Sequence, residues 1–176
     1  MNKIEFSETQ YFRRWWALAG VIALNGLFIF AIIQQVILGK PFGNKPAPDN
    51  VLVLIEIIPL LLIFFVFSIK LKVSIDEKGI RYRYYPFQVK ATAIEWNELS
   101  DAYMRQYNSF YEYGGWGIRA GTAKVGRAIN TSQSGNTGLQ LQFNDGKLLL
   151  IGTRRPEEIK GIIDTVMITG KINRKV

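Results

Sequence analysis

Two long runs of apolar residues occupy the N-terminal part of the 176-residue chain. Residues 15–38 contain no charged side chain, and residues 51–69 contain one. At ~1.5 Å per residue, either run is long enough as a helix to cross a ~30 Å hydrocarbon core. The pattern therefore predicts a transmembrane hairpin over residues 15–69, with a short loop at 39–50.

Beyond residue 70 the apolar runs become shorter, and apolar positions alternate with polar ones, which is typical of half-buried strands. The predicted strands cover residues 71–76, 80–86, 90–96, 99–107, 115–121, 124–131, 138–143 and 148–153. The NDGK sequence at 144–147 is a strong hairpin signal between the last two of them.

The period of the apolar positions then changes from two to that of a helix. Pro156 stands where a first helical position belongs, and the helix is expected to end near Gly170. Its apolar face is formed by Ile159, Ile162, Ile163, Val166 and Met167. The pattern predicts an α+β fold in which a half-open antiparallel β-barrel is closed at one end by a C-terminal amphipathic helix.

Three parts of the chain follow from these elements. Residues 1–14 are interpreted as a cytoplasmic lead-in, residues 15–69 as the membrane hairpin, and residues 70–176 as a cytoplasmic domain.

The distribution of basic residues predicts the orientation of the hairpin. The chain has 22 Lys and Arg against 14 Asp and Glu, a net charge of +8. Arg13 and Arg14 precede the first apolar run, further basic residues follow the second, and the loop carries only Lys40 and Lys45. The positive-inside rule then puts both termini in the cytoplasm and residues 39–50 outside.

Composition removes several classes of chemistry. The chain contains no cysteine and no histidine, which excludes disulfides, thiol chemistry, Cys/His zinc sites and imidazole catalysis. The acidic residues are scattered, without a spacing suited to acid–base work or metal binding. We therefore predict no catalytic, metal or cofactor residues, and a protein that is not an enzyme.

The glycine-rich segment EYGGWGIRAG (112–121) formally matches a dinucleotide-binding pattern. No amphipathic helix follows it, as that motif requires, so we predict no nucleotide site. The structural interpretation places Gly114 and Gly115 in a turn or bulge and Trp116 in the barrel core, with Arg119 following. Gly117 would let a strand bend or a neighbouring part of the barrel come close.

Four short motifs point to a family. They are GGWGIR (114–119), a GN-x-G turn (135–138), DGK (145–147) and IGT-x-RPEE (151–158). Together with the N-terminal FSETQYFRRWW, they resemble bacterial membrane-anchored PH-like (pleckstrin-homology-like) domain proteins of uncharacterised function. The resemblance implies a two-helix anchor in the bacterial inner membrane, a PH-like domain and no catalytic residues.

Basic residues near the membrane are the first candidate binding residues. Lys70, Lys72, Arg154 and Arg155 are candidate contacts for anionic lipid, although a solvated basic surface would have the same composition. The expected function is a non-catalytic interaction module that binds a protein partner or its own copies. The alternative is sensing of anionic headgroups, and nucleic acid is not an expected partner.

Glu56 is the one charged residue inside a predicted span. An ionisable group at that depth is costly and usually faces a partner. In an antiparallel hairpin, Gln34 and Gln35 lie close to its level, so we predict a polar latch between the helices. A proton or ion relay, outward snorkelling, or pairing with Lys40 or Lys45 are the alternatives.

Overall fold

The computed structural model describes residues 5–172, which form two compact units. One unit is the apolar hairpin Arg13–Ser68. The other combines the described residues up to Phe12 with those from Ile69 onwards. The hairpin is therefore an insertion within a folded domain.

The hairpin unit contains two antiparallel helices that are long and apolar enough to cross a membrane. Helix α1 spans Trp15–Ile32 and is extended by a π-helical turn, Ile33–Ile37, and helix α2 spans Asp49–Ser68. Most of their large apolar side chains point outward. Asn25 ties the helices together, because its side-chain amide donates to the Pro59 carbonyl at 3.2 Å.

Within residues 5–172, the other unit has nine strands, two α-helices and one short 3-10 helix, Trp96–Glu98. The strands are β1 Glu5–Tyr11, β2 Lys70–Asp76, β3 Gly79–Tyr85, β4 Thr92–Glu95, β5 Leu99–Gln106, β6 Gly117–Ala120, β7 Arg127–Asn130, β8 Thr137–Phe143 and β9 Leu148–Gly152. The helices are α3 Ser109–Tyr113 and α4 Pro156–Ile168. The α+β class expected from the sequence is confirmed.

The strands form two separate sheets rather than a barrel. The first has the order β1-β2-β3-β4 and the second the order β5-β8-β9-β7-β6. The predicted half-open antiparallel barrel is therefore wrong on two counts, because the two sheets are not joined into a barrel and β7 pairs with β9 in parallel. Local alternation identifies strands, but the choice of partner depends on contacts between distant segments.

One apolar core is shared by the two sheets and α4. Leu71, Val73 and Ile75 come from the first sheet, while Leu139 and Leu141 come from the second. Helix α4 contributes Ile159, Ile163 and Val166. The helix begins at the predicted Pro156, and its buried residues are those that the helical spacing selects.

Strand β1 lies in the segment interpreted from the sequence as a lead-in. It pairs with β2 over its whole length, from Glu5↔Asp76 to Tyr11↔Lys70. Its buried side chains are Phe6, Glu8 and Gln10. A seven-residue strand before the hairpin is thus part of the same sheet as the strand that follows it.

The buried polar side chains of β1 bond to the second half of the domain. The Gln10 amide donates to the Gly152 carbonyl at 2.8 Å and accepts from the Thr131 hydroxyl at 3.1 Å. Glu8 accepts from the Thr153 hydroxyl at 2.6 Å. These bonds satisfy groups that would be costly to bury alone, and they fix β1 to the ends of β7 and β9.

Candidate anion-binding site

The outward face of strands β2 and β3 carries a group of cations. Alternation along β2 turns Leu71 into the core and Lys70 and Lys72 outward. The antiparallel register sets Lys72 opposite Arg83 and Lys70 opposite Tyr85. The Glu77–Lys78 turn that joins the two strands fixes this register.

These four side chains line an open cavity of about 310 Å³. The Lys70 ammonium lies 5.4 Å from the centre of the Tyr85 ring, and the Arg83 guanidinium carbon lies 5.6 Å from it. Both cations therefore use the ring as a cation–π partner. The Nε of Arg83 also donates to the Gln88 carbonyl at 3.1 Å, which orients the guanidinium.

No acidic side chain within residues 5–172 forms an ion pair with Lys70, Lys72 or Arg83. Like charges directly opposite each other on neighbouring strands destabilise a sheet, so the Lys72–Arg83 pair is a cost to the fold. Such a cost is expected where an anion is bound. We call Lys70, Lys72, Arg83 and Tyr85 the basic cavity.

Four other cations among the described residues form ion pairs with acidic side chains. Arg81 pairs with Asp76, and Arg105 pairs with Glu112 at 2.8 Å. Burial opposes ionisation of Asp76, yet hydrogen bonds from two backbone N–H groups and from Arg81 hold its pKa below the usual value. The basic cavity differs from these pairs because it brings three cations together without an acidic partner among the described residues.

The four predicted lipid contacts separate into two groups. Lys70 and Lys72 belong to the basic cavity, whereas Arg154 and Arg155 do not line it. Arg155 pairs with Glu158 and donates to the Ser7 carbonyl at 3.0 Å. Its guanidinium also covers the Phe6 ring at 4.9 Å, so its contacts hold β1 against the start of α4.

The glycine-rich segment turns the chain from α3 into β6. Gly114 ends α3 with φ +69°, and Gly115 and Gly117 have φ of +126° and +115°. A Cβ on Gly115 or Gly117 would meet its neighbours only at ordinary contact distances of 3.8 Å or more. The glycines are therefore required for backbone conformation, and the expected close approach of another part of the barrel is absent at Gly115 and Gly117.

Trp116 does not enter the core as predicted. It is half-buried, and its ring packs edge-on against Phe110 at 4.7 Å and Phe12 at 6.1 Å. Arg119 turns back to this segment and donates from Nε to the Trp116 carbonyl at 2.9 Å. The tryptophan is thus the centre of a surface aromatic group.

The predicted latch between Glu56 and the glutamines does not form. Gln35 instead donates to the Ala47 carbonyl and to the Asp49 carboxylate, both at 2.7 Å, so it orders the loop between the helices. Glu56 is 7% exposed, and neither carboxyl oxygen has a hydrogen-bond partner among the described residues. The backbone carbonyl of Gln34 accepts a hydrogen bond from the Lys40 N–H at 3.0 Å.

Comparison with known proteins adds no assignment. Neither a scan against protein families nor a search of curated proteins gave a match to this chain. The resemblance to membrane-anchored PH-like proteins therefore stays a prediction, and the basic cavity is the feature on which a function is best argued.

Proposed function

We propose that the chain is a non-catalytic protein of the bacterial inner membrane whose PH-like domain binds an anionic lipid headgroup in the basic cavity. The observation that carries the proposal is the cavity itself, in which three cations converge without an acidic partner among the described residues. The arrangement of two packed sheets with a C-terminal helix supports the PH-like assignment.

The pairing of β1 with β2 supports the proposed topology. The first strand precedes the hairpin and the second follows it, yet the two are hydrogen-bonded along seven residues. Both strands must therefore lie on the same side of any membrane that the hairpin crosses. Together with the basic residues that flank the hairpin, this favours a cytoplasmic domain and cytoplasmic termini.

The position of the cavity suits a ligand that is itself part of the membrane. Lys70 lies two residues after Ser68, the last residue of α2. Two residues of an extended strand span about 7 Å. Each basic residue close to an anionic leaflet adds about 1 kcal/mol of attraction. A headgroup phosphate would accept from the two ammonium groups and from the fork of the Arg83 guanidinium.

The test is lipid binding by the full-length protein. Native mass spectrometry of the detergent-solubilised chain would count bound phosphatidylglycerol and phosphatidylcholine. We expect retention of the anionic lipid, and a loss of about tenfold per cation removed in Lys72→Ala/Arg83→Ala, because each charged contact contributes at least about 1.4 kcal/mol.

The matched control is Lys124→Ala/Lys147→Ala, which removes the same charge from exposed positions outside the cavity. It should bind as the unmodified protein does. Equal losses in the two double variants would mean that net charge alone attracts the lipid, and the cavity would then have no specific role.

The scaffolding of a protein partner or of further copies, which the sequence favoured first, stays a prediction. The headgroup proposal replaces it as the better supported one, because it has a defined cavity with a defined chemistry.

A further inference from the structure

A second surface of the domain presents large aromatic side chains to its surroundings. Tyr111 is 93% exposed and Phe110 is 58% exposed, both on α3. Trp116 packs edge-on against Phe110 from the chain that leaves the helix. We call Phe110, Tyr111 and Trp116 the aromatic surface.

The backbone beneath the aromatic surface is held firmly. The Asn108 side chain caps α3 by accepting from the N–H groups of Phe110 and Tyr111 at 3.0 and 3.1 Å. The Glu112 carboxylate pairs with Arg105 and also accepts from the Asn108 N–H at 2.7 Å. A helix this short has little stability of its own, so these bonds fix the direction of its exposed rings.

The buried side of α3 is equally well fixed. The Tyr113 hydroxyl accepts from Arg105 at 2.7 Å and donates to the Val125 carbonyl at 3.1 Å. Because Glu112 is neutralised by Arg105, α3 offers no unpaired acidic group that would repel an anionic surface. Exposed aromatic rings on a rigid, charge-compensated segment are typical of a contact surface.

Chain connectivity limits how far Phe12 can lie from the first residue of α1. Phe12 touches Trp116, with ring centres 6.1 Å apart, and its N–H donates to the Ile69 carbonyl at 3.1 Å. Trp15, the first residue of α1, follows Phe12 by three residues. Three extended residues reach at most about 11 Å, and one headgroup layer is ~5–8 Å deep, so Phe12 stays in or just beyond that layer when Trp15 lies at the edge of the core.

We propose that the aromatic surface inserts into the headgroup region of the bilayer, as a second membrane contact apart from the hairpin. The inference rests on the proposed membrane location but is independent of headgroup binding in the basic cavity. Tyrosine and tryptophan favour this interface because each has an apolar ring and a polar group.

The test measures the depth of residue 111 in the full-length protein. The chain has no cysteine, so Tyr111→Cys takes a single environment-sensitive fluorophore at a fully exposed position. Glu77→Cys is the matched control, since residue 77 is exposed and follows the end of β2 opposite Lys70. Both proteins are placed in phosphatidylcholine nanodiscs that contain lipids brominated at known depths.

The expected result is blue-shifted, lipid-quenched emission at residue 111, with a depth of about 15 Å from the bilayer centre, the edge of a ~30 Å core. Residue 77 should give the emission of a water-exposed label. As a second measurement, Trp116 should be quenched by the same lipids in a Trp15→Phe/Trp16→Phe protein, while the buried Trp96 is not.

Equal, water-like emission at residues 111 and 77 would overturn the inference and assign the aromatic surface to an aqueous partner. Adding Lys72→Ala/Arg83→Ala separates the two proposals, because it should abolish headgroup selectivity and leave the depth of residue 111 unchanged. A chain that does not enter the nanodisc at all would overturn both.

Discussion

Replacing Lys72 by glutamate should change stability and binding in opposite directions. In the basic cavity, Lys72 stands directly opposite Arg83 on the neighbouring strand. The Lys72→Glu variant would turn a repulsive pair into an attractive one. The same change would place a carboxylate where an anionic headgroup is proposed to bind.

The size of the stability change follows from Coulomb's law. Charged tips roughly 7 Å apart in water interact by about 0.6 kcal/mol, so reversing one sign changes the free energy of unfolding by about 1.2 kcal/mol. Screening at physiological ionic strength reduces this to about 0.5–1 kcal/mol, within the range of cross-strand pairs. For a domain of this size, the gain is a rise in melting temperature of about 2–5 °C.

The assay is thermal unfolding of the full-length protein in detergent, with lipid binding measured on the same samples. Lys72→Gln is the control, which should give about half of the stabilisation and about a tenfold loss of binding. The stabilisation should shrink in high salt. A Lys72→Glu protein that melts lower, or that binds anionic lipid unchanged, would refute the account of the cavity.

Three other outcomes are expected. Gly126→Ala should lower the free energy of unfolding by about 2–5 kcal/mol, because φ is +72° and the new Cβ would lie 2.3 Å from the Leu148 carbonyl oxygen. The control Gly135→Ala, at φ +67° with open space around it, should lower it by only about 1–2 kcal/mol. Thermal melting measures both. Burial raises the pKa of Tyr84 to about 12, although the charge of Arg119 acts in the opposite direction. The native state therefore keeps this proton to a higher pH than the unfolded state does. The resulting stability is present below pH 10 and is lost as pH rises to 12. Tyrosinate absorbance should show a group that titrates at higher pH than an ordinary tyrosine and that Tyr84→Phe removes. Titration of all tyrosines near pH 10 would contradict the burial of Tyr84. Joining Phe12 to Ile69 by Asn-Gly, a favoured two-residue turn, should give a folded, detergent-free domain, whereas a fragment starting at Ile69 lacks β1 and should aggregate.

The elements that were predicted correctly have strong local patterns. The hairpin is visible because uncharged runs of such length are rare, and α4 is visible because Pro156 and the isoleucine spacing agree. Strand β1 was missed because its buried positions are Phe6, Glu8 and Gln10. With two polar residues of three facing inward, the period-two hydrophobic signal is absent, and only bonds to segments far along the chain explain the burial.

Two of the four residues of the basic cavity were predicted from the sequence. Lys70 and Lys72 stood out because they follow the hairpin, but Arg83 and Tyr85 join them only through the register of β2 and β3. Counting outward from the turn at Glu77 and Lys78 would have paired Lys72 with Arg83. The surface position of Trp116 was not predicted, because its contacts with Phe12 and Phe110 depend on tertiary structure.

The place of β1 in the sheet has a consequence for synthesis. Glu8 leaves the ribosome 145 residues before Thr153, its hydrogen-bond partner. At about 5–20 residues per second, β1 waits about 7–29 s for that partner, and both apolar helices are made in the interval. A nascent chain must therefore keep the polar, core-bound side chains of Glu8 and Gln10 without their hydrogen-bond partners during this interval. Synthesis of the segment from Thr131 to the end of α4, rather than emergence of the hairpin, is the event that completes the domain.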